Sequence, residues 1–129
     1  TSAFLYGHIA YDNTYTGLAD TLHEGERLAA VLGENHYIFM KNHGVLVVGD
    51  TVAQAYRRIY RLERVCRMQL IAMAAATGTG QQLAVLSQEV VDRVQMPNPQ
   101  DSHPREERER LFFDAMMRVL DRELPGYRD

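Results

Sequence analysis

Apolar residues along this chain fall first into short runs and then into long three- and four-residue periodicities. Phe4 to Tyr11 mixes aromatic and β-branched residues and predicts a strand. Asp12 to Gly17 reads as a turn. Leu28, Val31 and Leu32 recur on one face of a short helix over His23 to Leu32, with Glu24 and Glu26 in its first turn and Gly33 ending it. His36 to Lys41 holds Tyr37-Ile38-Phe39-Met40, the unbroken apolar run of a buried strand. Asn42-His43-Gly44 interrupts it, and Val45 to Val48 predicts a second buried strand. Gly49 and Asp50 close that strand and Thr51 is placed to cap a helix.

The helix after Thr51 is predicted over Val52 to Ala76. Val52, Ala55, Tyr56, Ile59, Leu62, Cys66, Leu70 and Met73 form a wide stripe suited to lying flat on a sheet. Gly78 and Gly80 are read as its stop. A shorter helix begins near Ser87, and Pro97 and Pro99 bracket a loop. A last helix starts at Pro104, with Glu106 and Glu107 at the positive end of its dipole, and ends before Pro125. Strands first and long helices after them predict an α/β fold with helices layered on a sheet. The two central strands find few neighbours in the sequence, so another chain or a further segment is expected to flank them. The opening at Thr1 fits a trimmed or excised stretch.

Composition adds limits. At 129 residues, 46% apolar and 24% charged, the chain suffices for one small core. A net charge of −3 gives no general pull toward nucleic acid. No apolar run approaches a membrane span. Nothing at the start has the pattern of a secretion leader, and the lone cysteine, Cys66, demands no disulfide, so a cytoplasmic location is expected. Cys66 lies on the apolar stripe and reads as a core thiol.

Candidate chemistry centres on Asn42-His43-Gly44, because polar residues between buried strands cost desolvation unless they serve a purpose. His43 can present an imidazole to a metal, with Gly44 allowing close backbone approach and Asn42 orienting a neighbour. On spacing alone, a tight turn with a hydrogen-bonded histidine is the favoured reading. His8, His23, His36 and His103 form no ligand pair at i,i+4 or H-x-H spacing, although His8 could approach His43 in space. Arg57, Arg58, Arg61, Arg64 and Arg67 give the long helix a basic face, read as solvated. Gly78-Thr79-Gly80 follows a helix and is not a phosphate loop. Arg105 with Glu109 and Glu106 with Arg110 are i,i+4 pairs on an exposed face.

The stretch Met40-Lys41-Asn42-His43-Gly44-Val45-Leu46-Val47-Val48-Gly49 is followed by Ala55, Tyr56, Leu62-Glu63-Arg64 and Gln69. Together these residues resemble the class II aldolase/adducin family. Tyr6-Gly7 and Ala10-Tyr11-Asp12 are similar to its preceding strand. Leu120-Asp121-Arg122, Pro125 and Tyr127-Arg128 are similar to the ending of its adducin-like branch. The resemblance implies an α/β/α layered domain around a mostly antiparallel sheet, of which residues 1–129 form the C-terminal portion, the N-terminal half being absent. It implies an aldolase-type lyase acting on a small hydroxy-carbonyl or sugar-phosphate compound through enediolate stabilisation. It also implies Zn2+ or another divalent metal held by three histidines, His43 among them. The H-x-H pair and the acid/base residue would lie in the absent half. The stretch alone would then be inactive and hold no fully coordinated metal. A homo-oligomer is expected, with no nucleic-acid or membrane partner. The alternative is an adducin-like interaction domain without catalysis.

Overall fold

A computed structural model describes residues 2–14, 17, 20–96 and 101–128. The predicted loop at Pro97 and Pro99 lies outside them, as do Tyr15 and Thr16 of the first turn. Among the described residues, four helices accompany one three-stranded sheet. The strands are β1 (Ile9–Asp12), β2 (Tyr37–Met40) and β3 (Gly44–Val47). The helices are α1 (Leu22–Leu32), α2 (Val52–Thr79), α3 (Gln88–Gln95) and α4 (Arg105–Glu123).

The sheet order is β1-β2-β3, with β2 in the middle. Strand β1 runs parallel to β2, Ile9 pairing with Tyr37 and Asp12 with Met40. Strand β3 returns antiparallel, Tyr37 facing Val47 and Met40 facing Gly44. The sheet is therefore mixed, which corrects the mostly antiparallel expectation. Helix α1 intervenes between β1 and β2 and brings the chain back to start β2 in the same direction. The expectation that the two central strands find few partners in the chain is corrected for β2, which is paired along both edges, whereas β3 pairs with β2 alone among the described residues.

Side chains alternate across β2. Tyr37 and Phe39 share one face with Leu5, Ile59, Leu62, Val65 and Cys66, and this is the main core. Cys66 thus packs as the core thiol expected of it. Ile38, fully buried, points to the other face, where α1 with its buried Leu28 packs on β1 and β2. The predicted first strand begins late: Ala3–Leu5 forms a 3-10 turn and pairing starts at Ile9. That turn docks on α3 through buried Ala3, Leu5 and Val91, and the Gln95 amide donates to the Tyr6 carbonyl at 2.6 Å.

Hydroxyl caps set the helix starts. Thr21, Thr51 and Ser87 each accept from a backbone N–H three residues on. Gly78 does not stop α2, which runs on to Thr79 and ends at Gly80 in the left-handed region with φ 68°. Nor does the whole apolar stripe lie on the sheet. Leu62 is 2% exposed, yet Leu70 is 66% and Ile71 62% exposed. Where β3 hands over to α2, Gly49 is obligatory for space, because a Cβ there would sit 2.7 Å from the Ala55 nitrogen.

Helix α4 packs on α2 through Tyr56, Tyr60, Phe112 and Phe113, with ring centroids 5.0–6.4 Å apart. Beside them, Gln54 accepts from the Asp50 N–H at 2.8 Å and donates to Glu109 at 3.2 Å. Arg105 reaches Glu109 at 3.1 Å. Glu109 is buried, so the predicted Arg105 pair is anchored to the interior rather than lying on a wholly exposed face.

Candidate functional site at the carboxyl ends of β1 and β2

The Asn42-His43-Gly44 segment forms the tight turn from β2 to β3, and His43 is exposed on it. The turn is closed by the His43 N–H donating to the Met40 carbonyl at 3.2 Å. Asn42 sits at φ 57°, a left-handed conformation that asparagine tolerates better than most residues. Gly44 sits at φ 135°, and nothing described lies within 4 Å of where its Cβ would be. Glycine is needed there for its backbone angle, which replaces the expected role of close backbone approach.

An ionic cluster lies under this turn. Asp12, the last residue of β1, faces Met40, the last residue of β2, and its carbonyl accepts the Lys41 N–H at 2.9 Å. Its carboxylate is buried and receives Arg27 Nη1 at 2.9 Å and Nη2 at 2.6 Å. Arg27 reaches Glu24 as well, through Nε at 2.9 Å and Nη2 at 2.7 Å. The planar guanidinium fork thus joins two carboxylates at once. The bond from Arg27 holds the Asp12 carboxyl below its usual range, with the Thr14 N–H helping. Glu24 foremost, then Asp12, pushes the Arg27 pKa further up. Sequence reasoning missed this cluster. Its only local trace was the Glu24/Arg27 spacing of three on a helix; Asp12 joins through the sheet.

His8 does not approach His43 but stacks on His36, centroids 4.8 Å apart, at the opposite end of β1 and β2. Burial, then Arg58 and His8, lowers the His36 pKa. His103 lies 3.3 Å from Glu107 at the start of α4. Among the described residues, no three His, Cys, Asp or Glu side chains gather where they could hold a metal ion. His43 fits one position of a ligand set, and further donors would have to come from outside these residues.

Of the arginine run, Arg61, Arg64 and Arg67 are exposed, as expected of a solvated face, and Arg58 is the exception. Arg58 is buried and donates to the Val48 carbonyl at 2.6 Å. Arg61 lies over the Phe4 ring at 3.6 Å, a cation–π contact tying α2 to the 3-10 turn. These arginines support the core beneath the sheet. Among the described residues, no helix is long and apolar enough to cross a membrane.

The turn and the two strands leading to it fall inside the region that carries family signal. The family model described as the class II aldolase and adducin N-terminal domain matches residues 1–70. The chain belongs to this family. Among class II aldolase and adducin relatives, a Caulobacter vibrioides protein named for class 2 aldolases is 33% identical over 99% of this chain and 47% of its own length. Human beta-adducin is 33% identical over 98% of this chain and 18% of its own length. The crystal structure of an aldolase II superfamily protein from Pseudomonas syringae superposes with a TM-score of 0.75 at 31% identity. That match covers 99% of this chain and 48% of the other. The chain spans about half the length of the class 2 aldolase relatives it matches.

Proposed function

We propose that these residues are the C-terminal portion of a class II aldolase-type domain and that His43 supplies one nitrogen to a divalent metal, Zn2+ by preference. The observation that carries this reading is the exposed position of His43 on a tight turn at the carboxyl ends of β1 and β2. Residues at positive φ flank it on both sides. A metal bound there would polarise a carbonyl oxygen of a small hydroxy-carbonyl or sugar-phosphate substrate. This chain's part is to hold one imidazole in place, and the remaining metal donors and the acid/base group belong to the rest of the protein. By the same reading, the full domain completes the layered α/β/α architecture. The exposed apolar face of α2 is then covered by the missing half or by another subunit of a homo-oligomer. The active enzyme is a carbon–carbon lyase.

An adducin-like interaction domain without catalysis is the second reading, favoured by the 33% identity to human beta-adducin over nearly the whole chain. One substitution separates the two. In the intact protein, His43→Ala should lower bound metal and activity together while the melting temperature stays near wild type, since the side chain is exposed. Metal content measured by elemental analysis beside a thermal melt gives the answer. Unchanged metal in an active His43→Ala protein ends the ligand assignment.

A further inference from the structure

We propose that Arg27 is a positioning residue for the Asn42-His43-Gly44 turn, acting through Asp12 to fix where the His43 imidazole stands. As a statement about metal binding, this rests on the proposed role of His43. As a statement about the turn, it stands on geometry alone.

The chain of contacts is continuous. Thr21 caps α1 by accepting the Glu24 N–H at 3.2 Å, which fixes the turn of helix that carries Glu24 and Arg27. Arg27 then makes four bonds of 2.6–2.9 Å, two to each carboxylate. Asp12, held this way, offers its backbone carbonyl to the Lys41 N–H at 2.9 Å. Lys41 is the first residue after β2, and two residues further on is His43. Helix α1 is therefore coupled to the turn across the end of the sheet through the Arg27 side chain.

The turn needs such a support. It contains a non-glycine residue at φ 57° and a glycine at φ 135°, so its backbone is held in sparsely populated conformations. The pairing of β2 with β3 holds one side of it and β1 holds the other, through Asp12. A monodentate contact would leave the Asp12 carboxylate free to rotate. The fork from Arg27 restrains both carboxylate oxygens and hence the rotation of the side chain. The fork is built on the β1 residue whose carbonyl receives the Lys41 N–H, the place from which a side chain can steady the turn.

The test is hydrogen exchange on the intact protein and its Arg27→Gln and Arg27→Lys variants, with the metal removed. We expect exchange at the Lys41 and His43 amides to rise about tenfold in Arg27→Gln relative to the Ile38 amide, as local loosening without global unfolding requires. Arg27→Lys should not restore protection, because an ammonium cannot hold two carboxylates in a fork. Zn2+ affinity should fall roughly 10- to 100-fold in Arg27→Gln, the range seen when the support of a ligand is removed. Should Arg27→Gln fail to fold, Asp12→Asn leaves Arg27 in place and weakens the Asp12 arm itself, and selective loosening of the turn in that variant supports the proposal. A folded Arg27→Gln or Asp12→Asn protein whose Lys41 and His43 amides exchange as in wild type overturns it. If His43→Ala leaves Zn2+ binding intact, the metal reading falls, and the exchange data still decide the role of Arg27.

Discussion

Helix α2 has two halves that carry the same kind of apolar stripe and meet different fates. From Ala55 to Cys66 the stripe is largely covered: Ile59, Leu62, Val65 and Cys66 pack under β2, while Tyr56 and Tyr60 meet the phenylalanines of α4. From Arg67 onward the same periodicity is open, with Met68, Leu70, Ile71 and Met73 all exposed. The residues that match the family end at 70, close to the point where cover runs out. An apolar stripe announces that a face is meant to be buried, but not which part of the molecule buries it.

The comparison breaks most sharply on core deletion. Leu62→Ala should cost about 2–5 kcal/mol, because it empties a fully enclosed site. Leu70→Ala in the 129-residue chain should stay within about 0.5 kcal/mol. Denaturant melts of both variants measure the contrast. The same Leu70→Ala change in the intact protein sharpens it. A cost there close to that of Leu62→Ala would show that the distal stripe is covered by the rest of the protein or by another subunit.

A second, smaller effect belongs to the covered half. Gly49→Ala drives a methyl against the Ala55 backbone at 2.7 Å and should destabilise by about 1–3 kcal/mol. Alanine at Gly78, where nothing described lies within 4 Å, should cause no loss and even a slight gain from helix propensity. Thermal melts of the two alanine variants would check the ordering, and equal stability would contradict the close approach.

The smallest effect is a pH dependence at the base of the covered half. His36 faces His8 on the neighbouring segment, Arg58 of α2 and Arg105 of α4, against Asp50 alone. Its folded pKa lies below 6.5, so the unfolded chain binds the proton more readily. The stability contributed by neutral His36 is complete above pH 6.5 and is lost as pH falls from there through the lowered folded value. His36→Phe should flatten that part of the stability profile, measured by denaturant melts between about pH 7.5 and 5, the range over which a histidine titrates. An unchanged slope would mean that another group governs it.

The elements themselves were largely legible. Apolar runs located β2 and β3, and Thr51 and Ser87 marked helix starts that the structure keeps. Three things were not legible, each for a physical reason. Phe4 and Leu5 have strand-like composition, but their burial against α3 is a tertiary contact that favours a 3-10 turn. The parallel pairing of β1 depends on where α1 delivers the chain, which no local pattern encodes. At the candidate site, Asn42-His43-Gly44 stood out as a polar break, while its support did not. Asp12 and Arg27 are 15 residues apart and meet only once β1 and α1 are packed.

The two pairings of β2 also differ in the order in which they can form. β2 and β3 are joined by residues 41–43, whereas β1 and β2 are separated by residues 13–36. In an unfolded chain the second connection is about eight times longer, and closing it costs about 1.8 kcal/mol more in chain entropy. The hairpin carrying His43 is therefore set to form early, with β1 docking afterwards. Folding kinetics should show a nucleus at the hairpin and the proximal part of α2, and the Asp12 bridge should close in the last committed step.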